Sequence, residues 1–95
     1  MSEKYLPRFA GKVIVVTGSG GGIGTAIAQR FARESGQVVV TDTNTQGAEA
    51  TTKSIIDEGN KAVTMIADIS NRDACYKLIE DTVAKFGKID VLINN

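Results

Sequence analysis

Ninety-five residues suffice for one small domain, and a chain of this length buries only about 60 to 65% of the surface that its unfolded form exposes. Eleven basic residues balance eleven acidic ones and aromatics are few, so no net field draws the chain to nucleic acid or to a membrane. The lone cysteine, Cys75, excludes an internal disulfide, and the lack of histidine leaves no zinc or other metal site; both suit the cytoplasm.

The longest apolar runs, such as residues 13–16 and 38–40, fall far short of a bilayer span. The start, Met1-Ser2-Glu3-Lys4-Tyr5, carries no signal-peptide core. A polar lead-in, residues 1–8 with Pro7 near its end, precedes a single unit in which β-branched runs alternate with segments of helical period. Strands are predicted over residues 13–17, 37–42, 62–67 and 89–94. Their near-continuous apolar character suits a parallel sheet covered on both faces.

The first helix is predicted over residues 22–35, with Ile23, Ile27 and Phe31 at four-residue spacing and Ala28 and Ala32 beside them. The second, residues 45–58, carries Ala48, Thr52, Ile55 and Ile56. The third, residues 71–86, carries Cys75, Leu78, Ile79, Thr82, Val83 and Phe86. Gly36, Gly59 and Gly87 follow the three helices, where a left-handed stop without a Cβ is expected. Ser70, with Asp73 three residues on, reads as a capping box for the third helix. Right-handed crossovers then give an α/β fold of Rossmann-like, three-layer type, its parallel sheet ordered 3-2-1-4: half of a doubly wound domain, and so truncated.

Between the first strand and the first helix stands Thr17-Gly18-Ser19-Gly20-Gly21-Gly22-Ile23-Gly24. There, backbone N–H groups and the helix dipole can receive a pyrophosphate. A turn needing only one left-handed residue would not use five glycines within seven positions. The common dinucleotide spacing Gly-x-Gly-x-x-Gly fails, because Ile23 falls where its third glycine would stand. A Walker loop fails because Gly24 is followed by Thr25-Ala26. A methyltransferase of similar topology would share Gly18, Gly20 and Gly22 but would want an acid where Val16 stands. The spacing is Gly-x-x-x-Gly-x-Gly, carried by Gly18, Gly22 and Gly24. With Thr17 ahead of it, the string resembles the Thr-Gly-x-x-x-Gly-Ile-Gly fingerprint of the short-chain dehydrogenase/reductase family.

Asp42 ends the second strand at about the distance beyond the glycines where an acid reaches an adenosine ribose. A 2′-phosphate would meet its charge at close range, and neither Thr41, Thr43 and Asn44 nor the glycine loop offers a cation, so NAD is expected over NADP. A cap or an Asx turn is the bland alternative for Asp42. Asp68-Ile69-Ser70 looks like the family's Asp-Val-Ser or Asp-Val-Thr element, which holds the adenine; a turn aspartate is the alternative. Asn94-Asn95 matches the first half of the family's Asn-Asn-Ala-Gly element, which steadies the sheet and lines the cofactor's ribose. The resemblance thus implies Gly18, Gly21, Gly22, Ile23, Gly24, Asp42, Asp68, Ile69, Asn94 and Asn95 as cofactor-binding residues. Cys75, within an apolar stripe, reads as a buried, inert thiol.

The same resemblance, covering residues 9–95, implies an NAD-dependent oxidoreductase that transfers hydride between nicotinamide and an alcohol or carbonyl substrate. The complete protein would be cytoplasmic and commonly a homo-oligomer. Its acid/base groups, a serine and a Tyr-x-x-x-Lys pair, have no match here: Tyr5 is followed four places on by Phe9, and Tyr76 by Glu80. No catalytic residue is therefore assigned, and the expectation is a cofactor-binding half that is inactive alone. A non-catalytic NAD- or adenosine-binding module, or a nonfunctional fragment, is the alternative.

Overall fold

The computed structural model describes residues 5–95. Met1 to Lys4, part of the lead-in and of the start read for a signal peptide, lie outside the described residues. The order is β1 (Val13–Thr17), α1 (Gly22–Arg33), β2 (Gln37–Thr41), α2 (Thr45–Asp57), β3 (Lys61–Thr64), α3 (Arg72–Phe86) and β4 (Val91–Ile93). The four strands form one parallel sheet in the order β3-β2-β1-β4, as the crossover rule requires. Val13, Gln37 and Lys61 share one row of the register, and Val16 lies between Val40 and Ile93. All strands therefore end at the same edge.

Successive side chains of a strand point to opposite faces, and the valine runs use both. Ile14, Val16, Val38 and Val40 pack under α1 and α2, against Ala28, Ala32, Ala48 and Ile55. Val13, Val15 and Val39 face the other way, toward Ala67 and Leu78 on the α3 side. Three layers result, and each buried valine or isoleucine contributes roughly 1.5 to 3 kcal/mol.

The helices sit differently from their predicted stripes. In α1 the fully buried line is Gly24, Ala28 and Ala32; Ile27 and Phe31 pack at its flank, and Ile23 is 75% exposed. Small residues let the helix approach the sheet closely, which pushes the larger ones aside. In α2, Thr51 is buried where Ile56 was expected, and Ile56 faces solvent. In α3 only Leu78 and Thr82 are buried, while Ile79 and Val83 are exposed and Cys75 is half-buried, its thiol against the Ile69 carbonyl. The buried-thiol reading of Cys75 is therefore corrected: α3 meets the sheet along a narrower line than its apolar content suggested.

Two terminal readings are also corrected. The left-handed residue after α1 is Ser35 (φ 76°), not Gly36. Gly36 is a glycine for space, since a Cβ there would come within 2.6 Å of Ile14 and 3.0 Å of the Phe31 carbonyl oxygen. Gly59 and Gly87 do take positive φ. The α3 cap is Asn71, whose side chain accepts from the Ala74 N–H at 3.0 Å; Ser70 is instead turned back onto Asp68.

The lead-in is fastened to the end of α1. Glu34, 2% exposed, accepts from Arg8 and, at 2.6 Å, from Arg30, while Phe9 stacks edge-on against Phe31. Hydrogen bonds from Arg8 and then Arg30 hold the Glu34 carboxyl at about 2, below its ordinary 4.5. A depressed carboxyl stabilises the fold above its unfolded pKa, and that contribution is lost as pH falls from about 4.5 toward 2. Glu34→Gln should therefore melt below the parent at neutral pH, and the gap should close by pH ~2. Melting curves of the two proteins across that range check it.

Candidate cofactor-binding site

The glycine string joins the carboxyl end of β1 to the start of α1, and its glycines do different work. Gly18 (φ 63°) and Gly22 (φ 55°) turn the chain through the left-handed region. Gly24 permits contact: a Cβ on it would lie 2.0 Å from the Gly18 carbonyl oxygen. Gly20 is likewise crowded, with the Asp42 carboxylate 2.9 Å from any Cβ it might carry. Gly21 is extended, with no atom within 4 Å of such a Cβ, and stands open to solvent beside Gly22 and Ile23.

The loop is held from below by Ser19, which is wholly buried. Its hydroxyl donates to the Val16 carbonyl at 2.7 Å and accepts from the Thr41 N–H at 3.1 Å; its own N–H donates to the Thr41 carbonyl at 3.1 Å. The sequence signalled nothing of this, since Ser19 is one of the unspecified positions of the fingerprint. Thr25, on α1, donates to the Ser19 carbonyl at 3.2 Å and meets Thr51 of α2 at 2.9 Å.

The amino end of α1 is where a charge would be felt. Asn44 caps α2 and Asn71 caps α3, but no side chain caps α1, and no acid lies in its first turn. Its first N–H groups have no side-chain partner, and its positive dipole end lies at the exposed Gly21.

Asp42, half-buried just past β2, borders this opening. Its carboxylate accepts from the Gly20 N–H at 2.9 Å and from the Asn44 N–H at 3.1 Å. Those bonds, the one from Asn44 first, hold its pKa below the ordinary carboxylate value despite some burial. No cation pairs with it among the described residues. The α2 cap is Asn44, not Asp42. An Asx turn and a tie to the glycine loop are thus both present at Asp42.

Asp68 lies after β3, exposed, its Oδ1 accepting from the Ser70 hydroxyl at 2.6 Å and N–H at 3.0 Å. The hydroxyl first, then the amide, lowers its pKa. The turn alternative for Asp68 is therefore realised, and Oδ2 is not drawn into that turn. Ile69, 40% exposed, borders a pocket of about 210 Å³ with Thr17, Leu92 and Asn94. Beyond β4, Asn95 donates its side-chain N–H to the Gly18 carbonyl at 3.1 Å and its backbone N–H to the Thr17 hydroxyl at 3.0 Å. The Thr17 hydroxyl in turn faces the Ile93 carbonyl at 3.2 Å and the Asn94 side-chain oxygen at 3.3 Å. Asn94 and Asn95 thus pin the start of the glycine turn. All ten expected residues lie along the carboxyl edge of the sheet. That edge, with its order reversing at β1, is where open α/β sheets take ligands.

Among the described residues no cluster of histidine, cysteine and acid side chains could hold a metal, and no helix is long and apolar enough to cross a membrane.

Residues 12–95 match the family model described as short chain dehydrogenase. An uncharacterized oxidoreductase of Methylorubrum extorquens is 41% identical over 95% of this chain and 37% of its own length. Glucose 1-dehydrogenase 2 of Bacillus subtilis is 42% identical over 90% of the chain and 33% of its own length. The crystal structure of a hydroxysteroid dehydrogenase from Escherichia coli superposes with a TM-score of 0.90 at 36% identity, over 94% of this chain and 38% of that one. The chain spans about a third of the length of these proteins.

Proposed function

The chain belongs to the short-chain dehydrogenase family, and we propose that it is the NAD-binding part of an oxidoreductase acting on a small alcohol or carbonyl compound. The observation that carries this is the pairing of an uncapped, glycine-lined helix start with a cation-free carboxylate at the end of the next strand. The open side of Gly21 leaves room for a pyrophosphate against the α1 N–H groups. Asp42, bonded by the N–H groups of Gly20 and Asn44 and by Thr43, has carboxylate lone pairs left with which to take the adenosine ribose hydroxyls. Its charge, held by those N–H donors, disfavours a 2′-phosphate, which is why NAD is preferred to NADP.

Asp68 and Ile69 would meet the adenine, one through a carboxylate oxygen, the other through its exposed side chain. Asn94 and Asn95 would act by fixing Gly18 and bordering the ribose. Bound there, the cofactor would supply hydride, or accept it, at C4 of its nicotinamide. The residues described here bind and orient; none is assigned as acid or base. The complete protein is proposed to be cytoplasmic and homo-oligomeric, with no nucleic-acid or membrane partner.

Titrating the isotope-labelled chain with NAD tests the reading. The amides of Gly21, Gly22, Ile23 and Gly24 should shift together with that of Asn44. Shifts confined to the opposite edge of the sheet, near Gly11 and Gly59, would sink it.

A further inference from the structure

Gly47, in the first turn of α2, belongs to no fingerprint, yet its surroundings are as close as those of Gly24. A Cβ on Gly47 would lie 2.1 Å from the Gly20 carbonyl oxygen and 3.0 Å from the carbonyl carbon, both backbone atoms. Its φ is not in the left-handed region, so the glycine serves proximity and not chain direction. The N–H of the same residue, Gly20, donates to Asp42 Oδ2 at 2.9 Å. Gly20 is itself crowded on this side, with Asp42 and the Ala48 amide 2.9 and 3.0 Å from where its own Cβ would be. Asn44 joins the two halves, accepting from the Gly47 N–H and donating its backbone N–H to Asp42.

We propose that Gly47 is a positioning residue: by letting α2 seat on the Gly20 carbonyl, it sets where Gly20 holds the Asp42 carboxylate. The glycine loop and the acid are then one rigid unit with a fixed spacing between them. The consequence for cofactor choice rests on the reading of Asp42 as the ribose acceptor; the contact itself does not. A β-carbon at position 47 displaces the Gly20 peptide, because real Cβ atoms do not approach an oxygen to 2.1 Å. The Gly20–Asp42 bond then breaks or lengthens.

The test is an NMR pH titration of Gly47→Ala against the unsubstituted chain. In the latter, the Gly20 amide should follow the Asp42 carboxyl as it protonates. In Gly47→Ala that response should vanish, while the Val13 amide still follows Asp90, its partner at 2.8 Å across the sheet, a response that general loosening of the fold would not spare. NAD affinity should fall about tenfold, as for one lost charge-assisted hydrogen bond. A Gly20 amide that still tracks Asp42 in the variant overturns the proposal. Should the variant not fold, the unsubstituted chain decides: a Gly20 amide that follows the Asp42 midpoint supports the coupling, and a silent Gly20 overturns it. Failure of the unsubstituted chain to bind NAD would count against the ribose reading alone, leaving the amide result to judge Gly47.

Discussion

Replacing Asp42 with alanine should raise the Kd for NAD about a hundredfold and narrow the expected margin over NADP. A hydrogen bond to a charged acceptor is worth about 1.5 to 3 kcal/mol net, and a hundredfold loss corresponds to about 2.7 kcal/mol. The carboxylate is anchored by the N–H groups of Gly20 and Asn44, one on each oxygen, and a carboxylate has lone pairs beyond those two. The helix start survives the change, since Asn44 supplies the α2 cap. NADP should lose less, because the same substitution removes the like charge facing its 2′-phosphate. Calorimetric titration of both cofactors checks this; equal losses for the two would mean that Asp42 acts on the loop and not on the ribose.

Gly24→Ala destabilises the fold by about 3 kcal/mol, while Gly21→Ala stays within about 0.5 kcal/mol of the parent. The two glycines stand three residues apart, Gly21 capping α1 and Gly24 in its first turn, but in opposite surroundings. A methyl on Gly24 would meet the Gly18 carbonyl at 2.0 Å and the Asn95 side-chain nitrogen at 2.7 Å, so α1 must move off the sheet. A methyl on Gly21 meets nothing within 4 Å and projects into the opening proposed for the pyrophosphate. Its cost should fall on NAD affinity instead. Urea unfolding separates the two: the midpoint should drop sharply for Gly24→Ala only. A Gly21 variant as unstable as the Gly24 variant would show that the open position is itself structural.

The sheet was legible because its cause is local. Valine runs bounded by glycine and polar turns specify strands, and strands alternating with helical segments leave the order β3-β2-β1-β4 as the right-handed solution. The helix faces were less legible. Periodicity marks apolar residues but not how closely a helix lies on its sheet, so Ile23, Ile56, Ile79 and Val83 were assigned to faces that the packing leaves exposed. The end of α1 misled for a similar reason: a glycine after a helix suggests a left-handed stop, yet Ser35 takes that conformation and Gly36 yields space to Ile14. Along the carboxyl edge, the motif named the glycines but not their division of labour. Ser19 and Gly47 escaped notice because Thr41, which ties Ser19 to β2, and Gly20, on which Gly47 sits, are reached through backbone atoms more than twenty residues away.

Asp42 and the open amino end of α1 are proposed to make one NAD site. Side-by-side calorimetric titration of the unsubstituted chain with NAD and NADP tests it most directly. NAD should bind at least about tenfold more tightly, the margin expected when a carboxylate exchanges ribose hydroxyls for a facing phosphate. NADP binding as tightly as NAD, or neither cofactor binding, would contradict it.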